Sequence, residues 1–346
     1  GTNEYVAVRP ELKKQIEELY RKHPEEARDS FGEDPFEVKN ILKYWVFSEK
    51  PEFHVIPTDT INIHIDKDAL LRSGIMLPKT IRHLKGEDLK DAIPDKLYIP
   101  LTDIRMLTKV DLLMLEMLAN CNWERPLYLA ISVGSVSKLK FDNYFVQEGL
   151  AFRFTPFDYK KWGDVGENRL YAVDVERLYD NVMNRYKYGG LDTPGLYLDE
   201  TTLRTCWYHR RLFAQLAKEL IAQGDNERAK KVLAYAEQVI PGYNVPETHE
   251  SGSYDIATAY AALGEKTKAV TLAVHLIAEA EDYINWAFSL KGNRIEMVRN
   301  DCIYKFWQWN QYNELLKKID GEKYKESNRR FEEKYALFAP TMNYKN

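Results

Sequence analysis

The segment 108–133 constrains the fold most, because it has the pattern of a capped helix followed by a buried strand. Thr108 and Asp111 have the spacing of a capping box, in which side chains satisfy the first backbone amides of a helix. Apolar residues then recur at helical spacing and predict one continuous buried face: Val110, Leu113, Met114, Met117, Leu118 and Cys121. The apolar run 127–133 predicts a strand covered on both faces, as in the centre of a sheet.

Further strand patterns lie on both sides of this helix. Residues 96–101 precede it, and a strand, a helix and a strand in this order predict a right-handed crossover unit within one sheet. Residues 53–56 and 61–65 alternate as strands do, and residues 149–156 add another strand. The range 36–156 is therefore predicted to be an α/β or α+β domain.

The length of 346 residues favours more than one domain. We expect a polar helical lead-in and linker at 1–35, the α/β domain at 36–156, a connecting segment with one helix at 157–198, and an α-helical domain at 199–346. Because the chain starts with Gly1 and Thr2, without an initiating Met or a signal peptide, we expect it to be a piece of a longer protein.

The helical part contains an internal repeat with the spacing of tetratricopeptide units. One copy consists of Leu216, Ala217, Leu220, Gly224, Ala229, Leu233, Ala236 and Pro241, and the other of Ile256, Ala257, Tyr260, Gly264, Ala269 and Ala273. Alanines let two antiparallel helices approach closely, and the glycines take the turns between them. The sequence therefore predicts an all-α, tetratricopeptide-like module of helical hairpins, with residues 242–249 as a loop between repeats. An ordinary α-hairpin bundle with Gly turns predicts almost the same fold but no concave groove.

Charge and hydropathy argue against two classes of partner. The formal net charge of −4 provides no basic field for nucleic acid. No apolar run approaches the roughly 20 residues that span a bilayer, so we predict no membrane-spanning segment in this chain. Cys121, Cys206 and Cys302 lie far apart, outside any CxxC pair, and are predicted to be buried thiols.

Known motifs of cofactor, metal or nucleophilic chemistry are absent from the sequence. It contains no GxGxxG, no P-loop, no HExxH and no GxSxG. His54 and His64 have no third ligand at a suitable spacing. Asp66 and Asp68 resemble the DxD of some glycosyltransferases, but Asp66 is also explained as a helix cap. The sequence patterns therefore assign no cofactor, no metal and no catalytic residue to this chain.

The candidate binding residues are polar or aromatic side chains at element ends and on predicted helices. They are Asn122, Trp123, Arg125, Glu148, Arg153, Tyr208, Arg211, Tyr254 and Tyr260. The first three form a corner that either anchors a ligand or closes the sheet edge. The next two either pair across a pocket or form a surface ion pair. The last four are expected to line a groove between helices, whereas Trp307 and Trp309 either line it or pack inside.

A set of strings also carries a resemblance to a known family. The strings are Ile56–Pro57, Ile65–Lys67, Leu107–Val133, Phe145–Arg153, Leu178–Met183 and Gly189–Leu191. As a set they resemble large multipass membrane proteins of Bacteroidetes, a family of unknown function that is similar to protein O-mannosyltransferases of the C-type glycosyltransferase fold. The chain departs from the family at Cys121 and Leu129, where a polar and an aromatic residue are expected.

The resemblance implies that this chain is a soluble C-terminal region on the periplasmic face of the inner membrane. The family's catalytic carboxylate lies between membrane helices, so the resemblance implies that this part is not catalytic while the parent protein is a glycosyltransferase. Its implied partners are the transmembrane part of the parent chain and a protein or glycoprotein acceptor.

Three functions remain open at this point. The chain either binds and positions an acceptor through the helical region, or acts through its α/β domain as a free-standing enzyme on a small carbohydrate or peptide. A structural cap over the membrane portion is the third, and a large exposed apolar patch on the α/β half would favour it.

Overall fold

The computed structural model describes residues 5–133, 139, 141–166, 171–290 and 294–342. It divides the chain into two compact units, Gly1–Asp174 and Val175–Asn346. The division lies inside the segment 157–198 that was expected to connect the domains. The first unit mixes short strands and helices and the second is helical, which confirms the predicted fold class.

Within its described residues, the first unit contains nine short strands in three sheets. They are β1 (Tyr5–Val8), β2 (Val55–Ile56), β3 (Thr60–His64), β4 (Lys96–Pro100), β5 (Met106–Thr108), β6 (Tyr128–Ala130), β7 (Phe145–Gln147), β8 (Ala151–Phe154) and β9 (Ala172–Val173). The strand orders are β2-β1-β5, β3-β4 and β6-β8-β7-β9. The β1–β2 and β7–β9 pairs are parallel, whereas the other pairs are antiparallel.

The described residues of the first unit also contain six α-helices. They are α1 (Lys13–Lys22), α2 (Pro24–Phe31), α3 (Val38–Ile41), α4 (Lys67–Arg72), α5 (Gly86–Ala92) and α6 (Lys109–Asn120). A π-helical turn at Leu42–Val46 continues α3. Side-chain caps start two of them as predicted, because Asp66 accepts a 2.9 Å bond from the Ala69 amide and Thr108 forms a capping box with Asp111.

The predicted buried face of α6 is only partly correct: Leu118 is buried as predicted, but three other positions are exposed. Val110, Leu113 and Met117 are 48%, 58% and 51% exposed, whereas Leu115, Leu118 and Ala119 are buried. The capping box accounts for the difference, because the fully buried Asp111 side chain turns inward to bond the Thr108 amide and hydroxyl. Positions 115 and 118 share its side of the helix and therefore face the core.

The predicted crossover unit is also wrong. β4 pairs with β3, whereas β6 pairs with β8 in another sheet, so the strands before and after α6 do not share a sheet. The run 127–133 supplies only the short edge strand β6, in which Tyr128 and Ala130 are exposed. An edge strand of an antiparallel sheet needs one covered face, so its apolar residues did not require a central position.

The segment 1–35 differs from the expected lead-in and linker. β1 pairs with β2 and β5, with Val6 and Val8 buried on alternate positions. Ile16 on α1 and Ala27 on α2 are buried as well. This segment therefore belongs to the first unit, and its strand escaped prediction because a run of four residues, Tyr5–Val8, is too short to show a period.

The regular secondary structure in the described residues of the second unit is helical. The helices are α7 (Val175–Asp180), α8 (Glu200–Ala222), α9 (Asn226–Val239), α10 (Ser253–Ala262), α11 (Lys266–Ser289), α12 (Arg294–Met297), α13 (Arg299–Ile319) and α14 (Gly321–Met342), with a π-helical turn at Asn181–Arg185 after α7. The packed pairs are α8–α9, α8–α10, α10–α11, α11–α13 and α13–α14.

The alanine and glycine pattern acts as predicted in this unit. Ala217, Ala229, Ala257 and Ala269 are each 0% exposed where the paired helices meet. Gly224 and Gly264 have φ angles of 80° and 79°, a left-handed backbone that glycine adopts without a Cβ clash. Each glycine is the middle residue of a three-residue connection between two helices, so each hairpin turns tightly.

Candidate functional site

Of the three residues of the predicted corner at the end of α6, Trp123 packs in the first unit, whereas Asn122 and Arg125 are exposed. Asn122 and Trp123 both have left-handed backbones, with φ of 47° and 61°. Trp123 is 6% exposed, donates its indole N–H to the His64 carbonyl at 2.8 Å, and stacks on Phe154. The tight backbone reversal thus turns the indole into the core instead of toward solvent.

Glu148 and Arg153 form a buried ion pair, which corrects the expected surface pair. Their side chains are 6% and 3% exposed, with Arg153 Nη1 3.6 Å from Glu148 Oε1. Arg153 also donates to the Ser73 carbonyl, the Ser73 hydroxyl and the Gly74 carbonyl at 2.9, 2.8 and 3.3 Å. The pair is buried because strand β8 carries Arg153 inward, where these oxygens offset the loss of its hydration.

A small cavity joins three of the predicted residues. Trp123, Arg125 and Arg153 line it with Leu70, Ser73, Ile75, Cys121, Pro126, Leu127 and Phe154. Its volume is about 10 Å³, near the minimum for one water molecule. Arg153 Nε is buried and has no hydrogen-bond partner in the described part of the chain. The corner therefore has room for a water but not for a substrate.

The second unit contains a larger space between α9, α10 and α11, which we name the helical cleft. Its volume is about 440 Å³, in the range of small-ligand sites. The lining residues are Arg210, Leu233, Ala236, Glu237, Ile240, Pro241, Gly242, Glu247, Ser253, Ile256, Tyr260, Thr267, Lys268, Thr271, Leu272 and His275. Buried aliphatic side chains form the floor, and exposed polar residues of α11 form one rim.

A polar triad lies on the wall of the helical cleft. Tyr260, the predicted residue in this cleft, donates its hydroxyl to Glu237 at 2.5 Å. Lys268 donates to both carboxylate oxygens of Glu237 at 2.9 and 2.8 Å. Burial, and after it the bond to Glu237, raise the pKa of Tyr260, so its phenol remains a donor. The triad fixes the Glu237 carboxylate at the cleft wall.

Arg210 holds the loop that closes one end of the cleft. Its guanidinium donates to the carbonyls of Ile240, Val245 and Pro246 and to the Ser251 hydroxyl, over 2.5–3.1 Å. Burial lowers its pKa to about 10, which still leaves it charged at neutral pH. Because the carbonyls come from the chain between α9 and α10, this cation fixes the course of the predicted inter-repeat loop.

The other predicted groove residues lie elsewhere on the second unit. Tyr208 lies under the Arg211 guanidinium at 5.8 Å, and Arg211 donates to the Glu250 carbonyl. Tyr254 belongs to a cluster of rings that we name the aromatic surface. Its members are His249, Tyr254, Tyr304, Trp307 and Tyr312. Tyr254 and Tyr260 are six positions apart on α10 and so point in different directions, which makes a single groove for all four residues wrong.

The aromatic surface presents two half-exposed rings. Tyr304 and Trp307 are one turn apart on α13, 43% and 48% exposed, with ring centroids 5.6 Å apart and an interplanar angle of 13°. His249 contacts both rings edge-on and shares a 2.6 Å hydrogen bond with the Tyr312 hydroxyl. Trp309, by contrast, is fully buried.

Other polar motifs have structural partners. Asp68 of the DxD pattern pairs with Lys90 at 2.8 Å, and His54 contacts the Ser48 carbonyl at 2.6 Å.

No group of three or more metal-ligating side chains occurs among residues that the structure describes. Across those same residues, no helix has the length and apolar character to cross a membrane. Cys206 and Cys302 are buried thiols as predicted, whereas Cys121 is half-buried.

Comparison with known proteins gives a family for this chain. The family model of TMEM260-associated domain 2 matches residues 1–176. The chain belongs to this family. Comparison with curated proteins and with solved structures gives no match.

The TMEM260-associated domain 2 coincides with the first unit, which ends at Asp174. The match begins at residue 1, so it includes the strand and helices of the segment 1–35. It is consistent with a TMEM260-like, O-mannosyltransferase-like family and suggests a glycosyltransferase-associated domain. The helical cleft and the aromatic surface lie beyond the matched residues.

Sequence reasoning missed several residues of the second unit. Glu237, Lys268 and Thr271 line the cleft, and His249 and Tyr304 belong to the aromatic surface. The spacing of Tyr304 and Trp307 was a usable signal, because residues three apart on a helix share a face. No local pattern marked Glu237, since its partners come from two other helices.

Proposed function

We propose that this chain is the non-catalytic C-terminal region of a membrane glycosyltransferase-like protein, and that its helical unit binds and positions the acceptor polypeptide. The family match supports the glycosyltransferase association. The proposal extends to a parent of the C-type fold from Bacteroidetes, with this region on the periplasmic face of the inner membrane.

The helical cleft is the observation that carries the proposal. Its aliphatic floor suits an apolar side chain of a bound polypeptide. The fixed Glu237 carboxylate and the hydroxyls of Thr267 and Thr271 can pair with backbone and polar groups at the rim. The packed helix pairs agree with tetratricopeptide-like stacking, in which neighbouring hairpins make extended binding surfaces.

The test is to fill the cleft without removing a core side chain. Thr271 is exposed on α11 and lines the cleft, so Thr271→Trp places an indole in the opening. The full-length gene product carrying this change is expressed in cells, and the occupancy of O-linked sugar on its acceptors is measured by mass spectrometry. Occupancy should fall by roughly tenfold, the equivalent of about 1.4 kcal/mol of lost acceptor binding.

Thr205→Trp is the matched control. Thr205 is exposed on α8, outside the cleft lining, and its hydroxyl bonds to the Thr201 carbonyl of its own helix. This variant should keep normal occupancy at equal protein level. Normal occupancy in the folded Thr271→Trp protein, or equal losses in both variants, would contradict acceptor binding in the cleft.

A second candidate is a structural cap that docks through the first unit. The exposed side chains of Met106, Val110, Leu113 and Met117 on β5 and α6 favour it. In that case Thr271→Trp leaves occupancy unchanged, whereas Leu113→Gln with Met117→Gln lowers it. The α/β enzyme has no comparable support, since the cavity at its predicted corner holds about one water.

A further inference from the structure

We propose that the exposed face of α6 docks on the surface of an anionic lipid bilayer. This face consists of Met106 on β5 and of Val110, Leu113 and Met117 on α6, and we name it the apolar stripe. The second candidate function left open what covers it. The inference rests on the proposed membrane parent, but it does not depend on acceptor binding in the helical cleft.

The apolar stripe runs along one side of α6. Val110, Leu113 and Met117 are three and four positions apart, so their side chains follow one another along the helix. They are 48%, 58% and 51% exposed, because the inward Asp111 of the capping box commits the opposite side of the helix to the core. An ordinary surface helix presents polar side chains to water, whereas α6 presents apolar ones, as binding surfaces do.

The outer face of the neighbouring sheet extends this apolar surface. In the antiparallel β1–β5 pair, Tyr5 lies opposite Thr108 and Ala7 lies opposite Met106. Residues on opposite positions share a face of the sheet, so Tyr5 and Met106 lie on one face, 54% and 38% exposed, while Leu107 is buried on the other. A tyrosine beside apolar side chains has the amphipathic character that suits the boundary between lipid and water.

Exposed lysines lie at both ends of α6. Lys109 is the first residue of the helix, one turn before Leu113 on the same side. Lys39 donates to the Asn122 side chain at 3.0 Å, and this hydrogen bond places it beside the end of α6. Among the residues that the structure describes, neither lysine forms an ion pair with a carboxylate. Apolar side chains bordered by unpaired cations are complementary to a bilayer with anionic headgroups.

Charge and size both favour a bilayer over a protein partner. Residues 109–125 contain three carboxylates, of which Asp111 is buried, Glu116 is half-buried and Glu124 is exposed, whereas Lys109 and Arg125 are both exposed. The net charge of −4 belongs to the whole chain, and salt screens it beyond about 8 Å, so the charges near the stripe determine the attraction. A standard protein interface takes about 20–30 residues on each side, far more than the stripe supplies.

The test is cosedimentation of the whole 346-residue chain with lipid vesicles. Vesicles of equal parts phosphatidylglycerol and phosphatidylcholine should bind the chain, and vesicles of phosphatidylcholine alone should bind it much less. Leu113→Gln with Met117→Gln should weaken binding by roughly tenfold or more, because it removes two apolar contacts with the acyl chains. Lys39→Gln with Lys109→Gln should weaken it by roughly fivefold for each lysine, and added salt should reproduce this loss.

Met297→Gln with Ile303→Gln is the matched control. These residues are 85% and 42% exposed in the second unit, so the change removes apolar surface outside the stripe and should leave binding unaltered. Thr271→Trp should also bind vesicles normally, which separates this proposal from acceptor binding in the cleft. Light scattering without lipid tests a second copy of the chain as the competing occupant.

Four outcomes would overturn the proposal. The anionic vesicles do not bind the chain, the neutral vesicles bind it equally well, or the two doubly substituted apolar variants lose binding to the same extent. The fourth is a dimer in solution that Leu113→Gln with Met117→Gln dissociates, because the stripe would then be an interface between copies of this chain.

Discussion

Arg153 shows how much a single side chain can be inferred from sequence. Its pairing with Glu148 was foreseeable, since the two residues flank the start of a strand. Its burial was not, because the partners that permit it come from Ser73 and Gly74, about eighty positions away. Trp123 was likewise singled out from the sequence, but its burial was not predicted. The left-handed backbone that turns its indole toward His64 leaves no local sequence signal.

His209 gives a prediction at the same scale. Its ring lies against Tyr186 and Tyr188, and its Nδ1 has no partner in the portion of the chain with described structure. Burial lowers the pKa of this imidazole below 6.5, so the unfolded chain binds a proton that the folded chain resists. The free energy of unfolding should therefore decrease as pH falls below about 6.5, the ordinary histidine pKa.

His209→Phe removes the titratable imidazole while it keeps an aromatic ring at this position. Chemical denaturation between pH 5 and 8 should show a smaller loss of stability at low pH for the variant, with a constant difference between the two proteins above pH 7. An unchanged slope below pH 6.5 would show that His209 is not a source of the pH dependence.

At the scale of elements, α6 shows where periodicity succeeds and fails. Its start was predictable because Thr108 and Asp111 interact locally. Its buried face was not, because eight of its twelve residues are apolar or small and several faces satisfy the same pattern. The prediction of a central strand at β6 failed for a related reason, since apolar content does not distinguish an edge strand from a central one. The prediction of the α8–α9 and α10–α11 hairpins succeeded because alanine marks close approach of helices and glycine marks tight turns.

The capping box of α6 can be tested by substitution. Thr108→Ala removes the oxygen that accepts from the Asp111 amide, and should cost about 1 kcal/mol of stability in the first unit. Hydrogen exchange of α6 measures the loss without requiring the two units to unfold together. Thr205→Ala on the exposed face of α8 is the control, with an expected change within about 0.5 kcal/mol. Equal protection of α6 in both variants would contradict a stabilising cap.

At the scale of the whole molecule, the two units contribute differently. The first unit carries the family match, and it buries the Glu148–Arg153 ion pair in its packing. The second unit contains the helical cleft and the exposed ring pair, both outside the matched residues. Our proposal that the helical unit is responsible for recognition therefore depends on an acceptor that occupies its cleft.

Photo-crosslinking from the cleft tests this claim most directly. Benzoylphenylalanine replaces Thr271 in the full-length gene product, and the same group at Thr205 serves as the control. The account predicts crosslinks from position 271, and not from 205, to polypeptides that carry the O-linked sugar. Crosslinks from both positions to the same proteins, or crosslinks from position 271 only to proteins without the sugar, would contradict it.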